Sequence, residues 1–358
     1  MTRIRAAVCH AFGAPLRIEE VELRAPHSAE VEVTLGAVAI CHSDISYAEG
    51  IWGGTLPAVY GHEAAGTVTA LGPQAGGLAL GDKVVVTLIR SCGTCPSCAG
   101  AHPAHCETPA PATGPLSLPD GRPLMQAMHC GAFAEKVVVD RSQIAPIPDA
   151  LPMEAAALLA CGVITGVGAV INTGAVRPGE DVVVIGAGGV GLNAIQGARI
   201  AGARRIVAVD LNASKLEDAR TFGATDTLLA DADAPAATRA LLGRGADAVF
   251  VTVGAIAAFQ IAPDYLAPRG RVVLVGMPAV GAMASYEPGN LAAAGQALIG
   301  SKMGDAVIAR DIPWLCDLHA QGRLQLETLI SGRWRLEQIN EAIADTRSGA
   351  ARRNVILF

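Results

Sequence analysis

The stretch from Asp181 to Asp210 admits few folds. Asp181-Val-Val-Val-Ile-Gly186 is a continuous apolar run, the pattern of a strand buried on both faces. Gly186-Ala-Gly188-Gly-Val-Gly191 follows and opens a helix that should reach Ala201. Ile206 to Asp210 reads as a second strand, ending in an acid 19 residues after Gly191. A GxGxxG alone is a weak signal. One that follows a strand, opens a helix and has an acid at this distance points to dinucleotide binding. The first glycine permits the tight turn, the second lets the backbone approach the pyrophosphate, and the third lets helix and strand pack closely. The phosphates then meet the positive end of the helix dipole. Asp210 should bind the adenosine ribose hydroxyls and repel a 2′-phosphate, which favours NAD over NADP. A helix is expected from Ser214, as its N-cap, to Phe222. Strand and helix patterns then alternate through Arg271 to Val275, which implies a doubly wound parallel sheet.

The chain before this stretch has a different texture. Short β-like runs at Arg5–Val8, Arg17–Glu22, Glu30–Ala39, Ala64–Leu71, Lys83–Val86 and Phe133–Val139 are separated by turn signals such as Gly13-Ala14-Pro15 and Gly72-Pro73. This part reads as a small β-rich barrel or sandwich. Residues 107 to 130, rich in Pro, Gly and Ser with no period, read as an irregular loop. Beyond about residue 302 the sheet pattern ends. Leu336, Ile339 and Ile343 mark one face of a helix stopped by Gly349, and Val355 to Phe358 reads as a last strand that packs back on the first part.

Two groups of metal-ligating side chains stand out. Cys92, Cys95 and Cys98, with Cys106 eight residues on, can close round one tetrahedral ion. Such a site holds a loop and does no chemistry. The competing redox-pair reading wants a helix N-terminus, whereas Gly, Thr, Pro and Ser here suggest a loop. His102 and His105 fall inside this lobe and are read as solvated, because four thiolates already fill the shell. The second group is Cys41 and His62, with Cys161 far downstream. Each alone would more often be a buried thiol or a satisfied core histidine. Together they are three ligands that leave a fourth tetrahedral position open, which marks a catalytic zinc site.

The totals narrow the functional classes. With 358 residues, the chain is long enough for about two domains. A net charge of -6 and only 4% aromatic residues argue against nucleic acid, which wants a basic face and stacking rings. Ala155 to Val176 carries no charge and is long enough to span a bilayer, but its four glycines and its polar Thr165, Asn172 and Thr173 suit a buried helix joining two domains. The N-terminus lacks the apolar core of a signal peptide. Nine cysteines, an odd number without an export signal, suggest reduced thiols and metal sites in a cytoplasmic protein. Cys9, Cys130 and Cys316 are read as ordinary thiols.

Taken together, Cys41-His-Ser-Asp44, Gly61-His-Glu63 with Gly66, the four-cysteine lobe, Ala160-Cys-Gly-Val-Ile-Thr-Gly166, the glycine loop and the tail Arg353-Asn-Val-Ile-Leu-Phe358 make the chain resemble the zinc-dependent medium-chain alcohol dehydrogenases over essentially its whole length. The resemblance implies a GroES-like β-rich catalytic domain over residues 1–162, carrying the zinc lobe 92–106. A Rossmann NAD-binding domain would follow over 163–302, and 303–358 would return to complete the catalytic domain. It implies Cys41, His62 and Cys161 as catalytic zinc ligands and Cys92, Cys95, Cys98 and Cys106 as the structural set. By the same likeness, Glu63 is the acid near the metal, Asp44 orients the His62 imidazole, and Ser43 takes the substrate proton. His42 and Arg353 would contact the pyrophosphate, Lys215 the ribose beside Asp210, and Val190 and Thr165 the nicotinamide. Trp52 and Leu88 would line the substrate pocket. Many members carry a His two residues past the motif's Asp as the end of the proton relay. Ser46 stands there, and a hydroxyl is no base near pH 7, so the resemblance leaves the relay's terminus open.

The implied reaction is reversible oxidation of an alcohol, expected to be primary, to the corresponding aldehyde or ketone, with hydride passed to NAD. Zinc can move the pKa of bound water from about 15.7 to about 7, or roughly 12 kcal/mol at about 1.36 kcal/mol per unit. A positioned acid-base group gives about 10²- to 10⁴-fold, or roughly 3 to 5 kcal/mol, so the metal has the larger effect. Two branches of the family remain as alternatives: a glutathione-dependent formaldehyde dehydrogenase, and an enzyme that keeps NAD bound and uses an external acceptor. A homodimer or homotetramer with small-molecule substrates is implied, with neither nucleic acid nor membrane as a partner.

Overall fold

The computed structural model describes residues 1–111 and 113–358. These divide into two compact units: Met1–Gly162 together with Val307–Phe358, and Val163–Ala306.

The first unit is built round the strand Glu30–Ala39. It pairs antiparallel with Glu63–Leu71, with Lys136–Asp140 and, through Ala37, Val38 and Ala39, with the C-terminal strand Arg353–Leu357. The tail thus enters the same sheet as residues more than three hundred positions earlier. Val31, Val33, Leu35, Ala37, Val38 and Ala39 are all buried along this strand, so β-branched and small residues meet on a surface packed from both sides. A second, five-stranded sheet includes Thr2–Cys9 and Arg17–Leu23. The helix Ile339–Ser348 buries Ile339, Ala342, Ile343 and Thr346, the spacing of one helical face, and Gly349 ends it in the left-handed region at φ 76°.

Two expectations need correction here. The 107–130 stretch is not wholly irregular. Leu116–Ser117 pairs with Arg17–Leu23, and Met125–Gln126 pairs with Ala58–Val59, so the stretch is tied to the five-stranded sheet at two places. In the cysteine lobe, Pro96–Ala99 forms one helical turn with Pro96 at its start, where the missing N–H is harmless.

The second unit holds six parallel strands in the order Asp226–Leu229, Arg205–Asp210, Asp181–Ile185, Ala246–Val251, Leu266–Leu274, Ala297–Gly300. Numbered within the unit this order is 3-2-1-4-5-6, the doubly wound topology whose switch point lies beside the first strand. The helix after the second strand spans Ala213–Phe222. Its N-cap is Asn212, not Ser214: the Asn212 carboxamide oxygen accepts from the Ser214 N–H at 2.9 Å. The apolar run Met153–Thr173 is helical, and 89% of its most apolar window is buried, as in a core helix. One π turn interrupts it at Leu159–Val163, and a second ends it at Ala169–Thr173. Cys161 lies in the first.

Candidate active site

Cys41 lies just beyond the end of the central strand and caps the helix His42–Ala48 from an extended backbone. Asp44, in the first turn of that helix, is 1% exposed. A carboxylate buried so deeply must be matched by donors. It accepts from the Cys41 N–H at 3.1 Å, the Gly61 N–H at 2.9 Å and the His62 ring Nδ1 at 2.9 Å. One side chain thus ties the helix start to the segment carrying His62. Gly61 has φ +92°, and a Cβ there would lie 2.6 Å from the Phe133 nitrogen, so only glycine fits before the histidine.

The ligating atoms of Cys41, His62, Glu63 and Cys161 all lie within 4.8 Å of one another, and all four residues are buried. Asp44 accepts the hydrogen bond from Nδ1–H, which leaves Nε2 facing the cluster, and that Nε2 has no hydrogen-bond partner among the described residues. An orphaned polar atom in a buried site costs about 1 to 3 kcal/mol. Two sulfurs and an imidazole nitrogen are the donors that zinc favours, so the residues fit a metal ion. The electrostatics agree. The hydrogen bond between the two thiols pulls Cys41 well below the usual thiol range and pushes Cys161 well above it. Burial acts against a charged His62, but the Asp44 carboxylate beside it and their hydrogen bond raise it well above 6.5, so a metal ion has to displace a proton from Nε2.

Burial pushes the Glu63 carboxyl up to about 7, against the pull of Arg353. Arg353 is only 7% exposed, and its guanidinium donates to Glu63 Oε2. The residue expected at a pyrophosphate therefore lies in an ion pair with Glu63, 290 positions away in sequence. A Cβ on Gly162 would sit 3.2 Å from this guanidinium, so the residue after Cys161 leaves it room. Ser43 is half-buried one position before Asp44, and His42 is exposed. Trp52 is half-buried with its ring edge-on to Tyr47, and Leu88 packs on the first unit's core.

The second cluster is the lobe. Cys92, Cys95, Cys98 and Cys106 also gather their sulfurs within 4.8 Å and are half-buried. Backbone N–H groups of Cys95, Thr94 and Glu107 point at the sulfurs of Cys92 and Cys95 at 3.3 to 3.4 Å. A hydrogen bond from Thr108, with those from the Thr94 and Cys95 backbone, brings the Cys92 thiol down to about 5. His102 and His105 are exposed and outside the cluster, as expected.

In the second unit the glycine loop follows the first parallel strand. Gly186 has φ +99°, and a Cβ on Gly191 would fall 1.8 Å from the Gly186 oxygen. Around Gly188 nothing lies within 4 Å of such an atom, so that backbone is open to a ligand. The helix Gly189–Ala201 has no side-chain cap at its N-terminus and no acid in its first turn. Its free N–H groups suit an anion. Asp210 ends the second strand and accepts from the Ala187 N–H at 2.7 Å and the Asn212 N–H at 2.9 Å, which ties the ribose-binding candidate to the glycine loop. Val190 lies in the helix's first turn, Lys215 is half-buried, and the buried Thr165 hydroxyl donates to Met303 Sδ at 3.6 Å. Thr252, which the sequence did not mark, donates to the carbonyls of Ile185 and Gly186 at 3.0 and 2.9 Å and braces the turn. A lone threonine after a strand is too common to be a signal.

This pairing of a thiolate–imidazole metal cluster with a doubly wound nucleotide fold defines a zinc-binding dehydrogenase. Residues 27–149 match the alcohol dehydrogenase GroES-like domain and residues 189–321 the zinc-binding dehydrogenase domain. The chain belongs to the zinc-binding medium-chain alcohol dehydrogenase family. It is 35% identical to the geraniol dehydrogenase of Castellaniella defragrans, over 99% of this chain and 97% of that one. It is also 35% identical to the NDMA-dependent alcohol dehydrogenase of Amycolatopsis methanolica, over 99% of each. The crystal structure of benzyl alcohol dehydrogenase from Acinetobacter calcoaceticus matches all of both chains with a TM-score of 0.95 at 29% identity.

Proposed function

We propose that the protein is an NAD-dependent zinc alcohol dehydrogenase that reversibly oxidises a primary alcohol to its aldehyde. The observation that carries this reading is the buried His62 Nε2, without a hydrogen-bond partner among the described residues and within 4.8 Å of the Cys41 and Cys161 sulfurs. When bound, zinc supplies a Lewis acid that lowers the pKa of a hydroxyl and polarises a carbonyl, and NAD takes up hydride.

The chain's own residues do the rest. Cys41, His62 and Cys161 hold the metal, and Asp44 fixes the His62 tautomer. Arg353 sets a buried positive charge beside Glu63, so thiolate and carboxylate do not accumulate unbalanced charge. Ser43, in the first turn of the His42–Ala48 helix, receives the substrate hydroxyl proton. Ser46 in that helix offers no base, so the proton leaves through water. Asp210 favours a free ribose 2′-hydroxyl over a phosphate. Geraniol and benzyl alcohol, in the names of two relatives, are both primary alcohols. Zinc-loaded protein should form NADH from such an alcohol and use NADP far more weakly. No turnover of any alcohol or aldehyde with either nucleotide would end the reading.

A second reading keeps NAD bound and recycles it through an external acceptor, as the relative named NDMA-dependent suggests. Turnover that begins only when an acceptor is added, with NAD co-purifying, would favour it. The expected homodimer or homotetramer is measured by sedimentation.

A further inference from the structure

Thr252 follows the strand Ala246–Val251, which lies beside the strand that leads into the glycine loop. These are the fourth and first strands of the 3-2-1-4-5-6 order, and the strand order reverses between them. The Thr252 N–H donates to the Ile185 carbonyl at 2.9 Å and prolongs the ladder by one bond. The side chain adds a second tie. Its one hydroxyl proton is shared between the carbonyls of Ile185 at 3.0 Å and Gly186 at 2.9 Å.

The Gly186 carbonyl belongs to the same peptide unit as the Ala187 N–H, and that N–H donates to Asp210 Oδ2 at 2.7 Å. A trans peptide is planar, with its C=O and N–H on opposite sides. The Gly186–Ala187 plane is therefore gripped at both ends, by Thr252 after the fourth strand and by Asp210 at the end of the second. Gly186 has φ +99°, and a Cβ there would strike the Val253 side chain and lie 2.9 Å from the Thr252 hydroxyl, so this position requires glycine. Glycine leaves the peptide after it free to turn. A turned plane would take the Ala187 N–H off Asp210 and redirect the chain at Gly188, where nothing lies within 4 Å of a Cβ. The two side chains prevent that turn.

We propose that Thr252 is a positioning residue for the dinucleotide. With Asp210 it fixes the Gly186–Ala187 plane before a ligand arrives. The open backbone at Gly188 and the uncapped start of the Gly189–Ala201 helix are then already set for a pyrophosphate. A loop held in its binding form loses less freedom on binding, and the affinity is higher by that difference. The proposal rests on the nucleotide-binding reading of the glycine loop and adds a residue to it.

The test is nucleotide affinity, read by NADH fluorescence and by competition with ADP-ribose and with adenosine. Thr252→Val keeps the shape and removes the donor. The Kd for NADH and for ADP-ribose, which carry the pyrophosphate, should rise about three- to tenfold, the scale of one neutral hydrogen bond. Adenosine, which has no phosphate, should bind both proteins alike. In turnover the loss should fall on the KM for NAD and not on the KM for the alcohol. Thr252→Ser keeps the hydroxyl and should restore the affinity. Unchanged Kd values in a folded Thr252→Val protein overturn the proposal. So does an equal weakening of adenosine, which would mean a general loosening of the sheet. If Thr252→Val does not fold, Thr252→Ala is read in the same way; if neither folds, the hydroxyl serves the fold alone and the proposal falls. Wild type that binds neither NADH nor ADP-ribose would overturn the nucleotide reading itself.

Discussion

At the scale of single residues, Asp44 has the widest reach. One buried carboxylate accepts from the Cys41 backbone, the Gly61 backbone and the His62 ring. Asp44→Asn keeps the shape but replaces one acceptor oxygen with a donor and removes the charge behind the imidazole. Metal affinity at this cluster should fall about 10- to 100-fold, as competition with a chromophoric chelator would measure. An unchanged affinity would show that the Asp44–His62 contact is incidental. Asp210 makes a second prediction at this scale. Its carboxylate holds the Ala187 and Asn212 backbones, so Asp210→Ala should weaken NAD and narrow the margin over NADP. Fluorescence titration with each nucleotide reads both effects, and an unaltered preference would remove the ribose role.

Among elements, those with strong local signals were legible in the sequence. The Glu30–Ala39 strand and the helix Gly189–Ala201 matched their expected bounds, because apolar runs and glycine punctuation are local. Weak local signals misled. Ser214 and Asn212 are both good caps, and only the backbone path decides that Asn212 faces the free N–H. The one-turn helix Pro96–Ala99 is too short to leave a period. The π turn that carries Cys161 leaves no mark on composition, since every residue from 155 to 170 is apolar, small or uncharged. Long-range pairs were out of reach. The Glu63–Arg353 contact and the Tyr47–Trp52 edge follow from the fold, not from spacing.

Two predictions belong to elements. In the lobe, Cys98→Ser should release one metal ion and lower Tm, at roughly 2 to 4 °C per kcal/mol lost. Calorimetry beside a metal count checks this, and an undisturbed Tm with full metal would contradict a structural role. In the parallel sheet, burial favours the protonated form of Asp226, but Arg205 and Thr225 outweigh it and hold the carboxyl below 3.8. A depressed folded-state pKa stabilises the fold above the unfolded value and ceases to do so as pH falls through the folded value. Wild type should therefore exceed Asp226→Asn by up to about 1 kcal/mol at neutral pH, the usual scale for a solvent-screened pair. That advantage should be lost as pH falls through the depressed folded-state value of the carboxyl. Urea unfolding across pH would show it, and a constant difference would rule out the pairing as its cause.

For the whole molecule, chain order and spatial order diverge. The ligands of one cluster come from residues 41, 62 and 161, and Arg353, which neutralises Glu63, arrives on the last strand of the same unit. The second unit, which carries the glycine loop, is a stretch inserted between residues 162 and 307. The first unit is therefore complete only when the C-terminal segment has returned to its sheet. The most direct test of the account is the zinc content per chain, measured by mass spectrometry on wild type and Cys161→Ser while alcohol-dependent NADH formation is followed on the same samples. The expected result is about two ions in the wild type and about one in the variant, with NADH formation abolished. A folded Cys161→Ser protein that keeps both ions and full turnover would contradict it.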